Sequence, residues 1–129
     1  MSGPAFLAVF GGAGMGAWLR WGLGQWLNPV FPTLPLGTVA ANLLGGLLVG
    51  VASSYFSNHS TLAPEWRLLV ITGFLGGLTT FSTFSVEVVA LIGRQQYGWA
   101  LATAFVHLLG SLALTGIGIG LGYALLARG

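Results

Sequence analysis

The chain contains no cysteine, no lysine and no aspartate, and only two of its 129 residues are acidic. The absence of cysteine excludes disulfide bonds, thiolate metal sites and cysteine nucleophiles. With no aspartate and two glutamates, the sequence offers no carboxylate pair, no Ser/His/Asp arrangement and no cluster of metal-ligating side chains. We therefore predict that the protein is not an enzyme.

Charged residues make up only 5% of the chain, whereas hydrophobic residues make up 55%. Soluble domains carry roughly 25% charged residues, so this chain has too little polar surface to stay monomeric in water. The net charge of +2 comes from four scattered arginines, and the lack of a basic cluster argues against nucleic-acid binding. The composition thus predicts an integral membrane protein.

Four apolar segments are each long enough to cross a bilayer, which takes about 20 predominantly apolar residues. They cover about 4–23, 36–56, 66–94 and 99–126, so we expect residues 1–129 to form a single all-α transmembrane domain of four helices. The first ten residues contain no basic residue. We therefore expect the first segment to be a retained span and not a cleaved signal peptide.

The third segment is longer than one crossing requires, and its middle reads Gly76, Gly77, Leu78, Thr79, Thr80. Adjacent glycines followed by threonines are poor helix formers. We predict a broken third helix, made of two half-helices that meet near the centre of the bilayer. Free carbonyl groups at the end of the first half would attract a cation.

The four arginines are divided equally between the two sides of a four-span topology. Arg67 and Arg128 fall on the N-terminal side, and Arg20 and Arg94 fall towards the other side. The positive-inside rule then favours neither orientation. This balance predicts insertion in both orientations, and hence an antiparallel homodimer.

Aromatic and hydroxyl side chains alternate just after the predicted break. Phe81 and Phe84 are three residues apart and share a helix face, with Ser82, Thr83 and Glu87 beside them. The pattern is compatible with ordinary packing or lipid contact. It is also compatible with a site for a small anion, because a phenyl ring has a positive edge and hydroxyl groups donate hydrogen bonds.

A polar stripe runs along the fourth apolar segment, with Thr103, His107, Ser111 and Thr115 at steps of four. A single serine or threonine in a helix usually bonds back to the carbonyl groups of its own helix. Ionisable residues inside a membrane mark pathways or partners. The stripe is therefore interpreted either as part of a permeation pathway or as a hydrogen-bonded contact between helices.

Three further polar residues lie within or beside the predicted spans. Asn42, with Thr38 one turn earlier, either joins two helices or donates its amide to an anion. Arg20 either extends to the interface or forms a vestibule charge that draws anions inward. Glu87 is the only acid within a span. We expect it near a pore mouth or paired, with a proton-carrier role as the third possibility.

The residues resemble the Fluc/CrcB family of fluoride channels. The most specific match is GFLGGLTTFSTFSVE at 73–87, which is similar to the third-helix signature of that family. Supporting matches are GTVAANLLGGLLVG at 37–50 and the pattern formed by Gly12, Gly16, Ala17 and Arg20. Together with the length and the four predicted spans, the resemblance covers essentially the whole chain.

The resemblance implies a dual-topology antiparallel homodimer in a bacterial inner membrane, with two pores that passively export fluoride and so lower its toxicity. Phe81 and Phe84 match the phenylalanines of the fluoride path, and Asn42 matches its asparagine. The expected anion pathway comprises Thr38, Asn42, Phe81, Ser82, Thr83, Phe84, Thr103, His107 and Ser111. The expected partners are a second copy, the lipid bilayer and fluoride.

The resemblance also implies a central structural sodium ion (Na+). Gly76 and Thr79 match the positions whose backbone carbonyl groups hold this ion in the family. Arg20 and Glu87 are expected in the vestibule.

Three alternatives remain compatible with the residues. A fluoride/proton antiporter would use Glu87 or His107. A small dual-topology multidrug exporter would have a carboxylate in its first helix, and here that segment contains none. A non-transporting assembly subunit of a larger complex would leave the broken third helix unexplained.

Overall fold

The computed structural model describes residues 1–126, and within that range it contains helices and no strand. The long helices are α1 (Gly3–Leu27), α2 (Leu36–Ser57) and α6 (Tyr97–Leu121), and a π-helical turn over Gly122–Leu126 continues α6. The remaining elements are a 3-10 turn over Asn28–Val30, α3 (Pro64–Arg67), a π-helix over Leu68–Leu75, α4 (Gly76–Leu78) and α5 (Ser82–Gly93). Arg128, one of the arginines counted above, lies outside the described residues.

Side-chain caps explain where two of the long helices begin. The Ser2 hydroxyl accepts a hydrogen bond from the Ala5 amide at 3.2 Å, and proline stands in the first turn of α1. The Asn28 side-chain oxygen accepts hydrogen bonds from the amides of Gly37 (2.7 Å) and Thr38 (3.3 Å) at the start of α2. Both caps satisfy amide groups that have no partner within their own helix.

The helices pack through glycines, as expected for small residues at helical spacing. In α1, a Cβ atom at Gly12 or Gly16 would collide with the backbone of the π-helix Leu68–Leu75. In the contact of α2 with α6, a Cβ atom at Gly50 would collide with the backbone around Thr115. Gly116 and Gly120, which also stand at helical spacing, instead face open space.

The helical path of the third segment (Pro64–Gly93) is interrupted at residues 79–81. Thr79 is extended, with φ −83° and ψ 154°. Gly76 and Gly77, which we placed inside the break, are helical in α4. The expectation was wrong at these two positions because Gly77 serves packing: a Cβ atom there would collide with Ala13 of α1.

Three helices among residues 1–126 are long and apolar enough to cross a membrane: Leu36–Ser57, Pro64–Gly93 and Tyr97–Leu125. The 25 residues of α1 would extend about 37 Å at ~1.5 Å per residue, which exceeds the ~30 Å of a bilayer core. However, α1 does not reach the same hydropathy, since Arg20 and several glycines interrupt its apolar face. The fourth span therefore stays a prediction.

Candidate functional site

A cavity of about 380 Å³ lies where α2, the third segment and α6 meet. It is bordered by both ends of the interruption and by the polar faces of the two other helices. Seven residues singled out from the sequence line it: Asn42, Gly76, Thr79, Phe81, Phe84, His107 and Ser111. The fold therefore brings together side chains that are as much as 69 residues apart in the chain, counted from Asn42 to Ser111.

The Asn42 side chain binds the interrupted backbone directly. Its oxygen accepts a hydrogen bond from the Thr80 amide at 2.7 Å, and its Nδ2 donates to the Thr80 carbonyl at 2.9 Å. Because Thr80 lies outside the helices, these two bonds replace those that a continuous helix would supply. Asn42 thus joins α2 to the interruption, which was one of its two expected roles.

His107 is buried beside the same amide. Its Nδ1 lies 2.9 Å from Nδ2 of Asn42, and its ring centroid lies 4.7 Å from that of Phe84. Only 4% of His107 is exposed, and its Nε2 has no hydrogen-bond partner in the part of the chain that the structure describes. Asn42, Phe84 and His107 therefore form one contiguous group, although they come from three different segments.

Thr38 and Glu87 form a second polar pair one turn along α2 from Asn42. The Thr38 hydroxyl donates to Oε2 of Glu87 at 2.6 Å, and Oε1 of Glu87 is buried with no partner among the 126 described residues. Neither residue lines the cavity. We expected Glu87 near a pore mouth or paired, and in this structure its hydrogen-bond partner is a hydroxyl group.

The hydroxyl groups of α6 bond mostly within their own helix. Thr103 donates to the Trp99 carbonyl at 2.8 Å, and Ser111 donates to the His107 carbonyl at 2.5 Å. Thr115 differs, because its hydroxyl donates to the Gly46 carbonyl of α2 at 2.9 Å. The polar stripe therefore divides into back-bonded hydroxyls, one bond between helices, and His107.

The two phenylalanines after the interruption occupy different environments. Phe81 is 80% exposed, whereas Phe84 is partly buried between Phe81 and His107. Their rings meet edge to face at 5.7 Å. Ser82 and Thr83 do not line the cavity; Thr83 donates its backbone amide to the Thr80 hydroxyl at 3.1 Å.

Arg20 contacts the interruption from the side of α1. Its Nε donates to the Gly77 carbonyl at 3.0 Å, near the end of α4. The neighbouring carbonyl groups of Gly76 and Thr79 accept no hydrogen bond from residues 1–126. The two carbonyls expected to face a cation thus have no donor among the described residues, while those of Gly77 and Thr80 have donors.

Thr80, Gly45 and Gly46 line the cavity, although they were not among the expected site residues. Thr80 caps α5 through its hydroxyl and pairs with Asn42 through its backbone. The role of Thr80 has a sequence signal, because a threonine at the start of a helix commonly accepts a hydrogen bond from the amide three residues later. Gly45 and Gly46 line the cavity, and nothing in their spacing separates them from ordinary packing glycines.

The family model for CrcB-like protein, Camphor Resistance (CrcB), matches residues 7–119. Fluoride-specific ion channel FluC of Nitrosospira multiformis is 61% identical over 115 residues, which are 89% of this chain and 90% of that protein. The protein of the same name from Burkholderia vietnamiensis is 57% identical over 116 residues, covering 90% and 91%. That from Thiobacillus denitrificans is 57% identical over 114 residues, covering 88% and 92%.

The three apolar helices and the family match together define a multi-pass protein of a bacterial membrane, as predicted. Within that class, the chain belongs to the CrcB family. The resemblance drawn from residues 73–87 and 37–50 is thereby confirmed.

Proposed function

We propose that this chain is a fluoride-selective passive channel that exports cytoplasmic fluoride and so lowers its toxicity. The observation that carries the proposal is the cavity, because it combines an amide, a phenyl ring and an imidazole in one largely apolar space. Its relatives named fluoride-specific ion channel FluC support the same activity. The protein is accordingly a channel and not an enzyme.

Fluoride is small and strongly hydrated, so a narrow apolar path must replace its water with other hydrogen-bond donors. The Nε2 of His107 supplies a nitrogen donor, Asn42 holds that imidazole ring through its side-chain amide, and the hydroxyls of Ser82, Thr83 and Ser111 extend the path. The positive edges of the Phe81 and Phe84 rings suit an anion that is hard to polarise. The membrane potential provides the driving force, about 2.3 kcal/mol per charge for each 100 mV.

An antiparallel homodimer would cover the surface that one chain leaves open at the interruption. Phe81 is 80% exposed, and Gly76 in the preceding helix α4 is also exposed, so the interruption and its helical flank lie partly on the surface of the single chain. Irregular backbone at membrane depth is tolerated only when protein or a water-filled cavity surrounds it. A second copy in the opposite orientation fits the balanced arginines, and α1 then serves as the fourth span in the inner membrane.

The free carbonyl groups of Gly76 and Thr79 suit a structural sodium ion, because hard cations prefer oxygen ligands. In a homodimer, each copy would contribute these two carbonyl oxygens as ligands. The ion would supply positive charge beside the anion path and satisfy the end of α4. Among residues 1–126 there is no cluster of three histidine or acidic side chains that would suit a transition metal instead.

A fluoride/proton antiporter is the second candidate. The observation that favours it is the presence of two ionisable side chains that each have one buried atom without a partner among residues 1–126: Oε1 of Glu87 and Nε2 of His107. A multidrug exporter is disfavoured because α1 contains no acidic residue and the cavity is small. Proton-coupled flux would separate the antiporter from the channel.

The test is fluoride efflux from liposomes that contain the purified protein, measured with a fluoride electrode under a potassium-driven potential and without a proton gradient. We expect rapid fluoride efflux and little chloride efflux. Phe84→Ile and Phe81→Ile should slow efflux at least about tenfold, since losing ~1.4 kcal/mol of stabilisation is tenfold in rate. Efflux that requires an opposing proton gradient would establish the antiporter instead.

The matched control is Phe10→Ile, because Phe10 is 81% exposed, close to the 80% of Phe81, and lies on α1 away from the cavity. Unchanged efflux in this variant would show that losing an exposed phenyl ring is harmless elsewhere. Equal losses at Phe10 and Phe81 would contradict the placement of Phe81 in the path. No fluoride efflux from folded wild-type protein would contradict the proposed function.

A further inference from the structure

The orientation of the Asn42 amide is determined by its two bonds to Thr80. A backbone N–H can only donate, so the atom 2.7 Å from the Thr80 amide must be the Asn42 oxygen. A carbonyl oxygen can only accept, so the atom 2.9 Å from it must be Nδ2. Reversing the amide would place donor against donor and acceptor against acceptor. Asn42 therefore presents an NH2 group, and no acceptor, to His107.

This orientation determines which nitrogen of His107 carries its proton. The Asn42 Nδ2 has two hydrogens, of which one goes to the Thr80 carbonyl and the other to His107 Nδ1 at 2.9 Å. Since Nδ2 has no lone pair to offer, Nδ1 must accept and cannot carry a hydrogen. Both the Nδ1–H tautomer and the doubly protonated imidazolium would place N–H against N–H. The neutral Nε2–H tautomer is the form that satisfies the geometry.

The remaining N–H of His107, on Nε2, donates to no group among the described residues. Nε2 is buried and has no hydrogen-bond partner among residues 1–126, and His107 as a whole is 4% exposed. Buried polar groups almost always have a partner, and an unpartnered one calls for an explanation such as a bound small molecule or ion. The ring is held on its other sides by Asn42 and by the Phe84 ring 4.7 Å away. The donor is therefore held in one position before any acceptor binds.

We propose that Asn42 holds His107 as the neutral Nε2–H tautomer, and that this N–H is a positioned hydrogen-bond donor for one small acceptor, either fluoride or a water molecule that alternates with it. The fluoride part rests on the proposed function, whereas the tautomer does not. Fluoride suits the position because it accepts hydrogen bonds strongly, carries no proton that would oppose the N–H, and is about the size of water. Asn42 acts here as a positioning residue, through His107.

The chain provides its own reference in its other histidine, His59. Its Nδ1 lies 2.8 Å from the Tyr55 carbonyl, which can only accept, so a neutral His59 carries its hydrogen on Nδ1. The two histidines are thus expected to be opposite tautomers in one molecule. Because the two tautomers differ, the nitrogen signals of each histidine serve as an internal reference for those of the other.

The experiment is nitrogen-15 magnetic resonance of the full-length protein in bilayers, with labelled histidine and at mildly alkaline pH. His59→Gln removes one set of signals and assigns the rest. We expect His107 to show a protonated Nε2 and a bare Nδ1, and His59 to show the reverse. A protonated Nδ1 at His107, whether as the other tautomer or as imidazolium, would overturn the proposal, and this result needs no fluoride transport.

Two variants test whether Asn42 sets the tautomer. Asn42→Asp replaces the NH2 group with an acceptor, so the Nδ1 of His107 should become protonated. Thr115→Val is the control, because it removes a different hydrogen bond between α6 and α2 without altering the contacts of His107. The tautomer should stay unchanged in this control. Unchanged signals in folded Asn42→Asp protein, or changed signals in Thr115→Val, would refute the positioning role.

The acceptor is identified by adding sodium fluoride at constant ionic strength, with sodium chloride in parallel. Coupling between fluorine-19 and His107 Nε2 would identify fluoride, whereas magnetisation exchange with water and no fluorine coupling would identify water. Either result supports a positioned donor. An Nε2–H that shows neither contact would overturn that part of the proposal. Failure of fluoride efflux with the expected tautomer intact would count against the proposed function alone.

Discussion

Two helix contacts in this molecule achieve close approach in different ways. In the glycine contact, α1 meets the third segment through Gly12, Gly16 and Gly77, and neighbouring backbone atoms occupy the space that a side chain would need. In the polar contact, α2 meets α5 and α6 through side-chain hydrogen bonds, among them Thr38 with Glu87 and Asn42 with His107. The glycines of the first contact leave no room for a side chain, whereas the second contact borders the cavity and contains two buried atoms that have no partner among residues 1–126.

The difference suggests that the glycine contact and the polar contact have different roles in this chain. Close packing of glycine gives rigidity without polar groups, and this suits the side that supports the interruption. Polar side chains that are only partly satisfied are costly in a membrane, and they persist where they bind something. The comparison can be tested by substitutions in the glycine contact and then in the polar contact.

The largest effect is expected from filling the glycine contact. Gly16→Val places a side chain against the backbone of Phe74 and Leu78, which cannot move aside as a flexible side chain would. Overpacking of this kind costs at least about 1–3 kcal/mol, and more where only backbone is in the way. We expect little monodisperse protein on size-exclusion chromatography in detergent.

Gly14→Val is the matched control for that prediction, because a Cβ atom at Gly14 meets nothing within 4 Å. Its yield and elution should equal those of the wild type. If both variants fold equally well, the glycine contact is not what holds α1 against the third segment.

An intermediate effect on folding, with a large effect on transport, is expected from opening the polar contact. Asn42→Ala leaves both backbone groups of Thr80 and the Nδ1 of His107 without their partner. Each unsatisfied buried group costs about 1–3 kcal/mol. We expect lower thermal stability and at least ~100-fold slower fluoride efflux, since 2.7 kcal/mol is about 100-fold in rate.

Asn58→Ala is the control for this variant, because the side-chain amide of Asn58 bonds to the Ser54 carbonyl at the end of α2, away from the cavity. Its efflux should match the wild type. Wild-type efflux from Asn42→Ala would mean that the hydrogen bonds to Thr80 are not needed for the path.

The smallest effect separates two buried hydroxyls of similar exposure. Thr38 is 4% exposed and bonds to Glu87, whereas Thr103 is 0% exposed and bonds to the backbone of its own helix. Thr38→Val leaves a carboxylate oxygen without a donor and should cost about 1–3 kcal/mol. Thr103→Val should cost less than about 1 kcal/mol, because the Trp99 carbonyl keeps its helical surroundings. Thermal unfolding in detergent compares the two, and equal losses would contradict the assigned roles.

Most of the helices could be predicted from hydropathy alone, because apolar runs of about 20 residues have few alternatives. The predicted spans 36–56 and 99–126 agree closely with α2 and with α6 and its π-helical turn. The position of the interruption was less predictable. Propensity placed it on Gly76 and Gly77, but both are helical, Gly77 is packed against Ala13, and the interruption falls on residues 79–81.

The candidate site, like the interruption, could be predicted only in part from the sequence. The sequence identified Asn42, Phe84 and His107 separately, each with more than one interpretation. Their association depends on how α2, α5 and α6 cross, and no local pattern encodes that distance. The hydrogen bond from Arg20 to the Gly77 carbonyl joins residues 57 positions apart in the chain. Neither of the two roles expected for Arg20 included this bond.

The sequence by itself determined the class of protein, the apolar segments and the family, because these follow from composition, length and a specific motif. Only the tertiary structure decided which polar groups satisfy one another and which remain free. The physical reason is that a hydrogen bond depends on distances of about 3 Å between atoms from different helices. Those distances determine the orientation of the Asn42 amide and the ring nitrogen of His107 that carries the proton. They also determine which carbonyl groups beside the interruption accept no hydrogen bond.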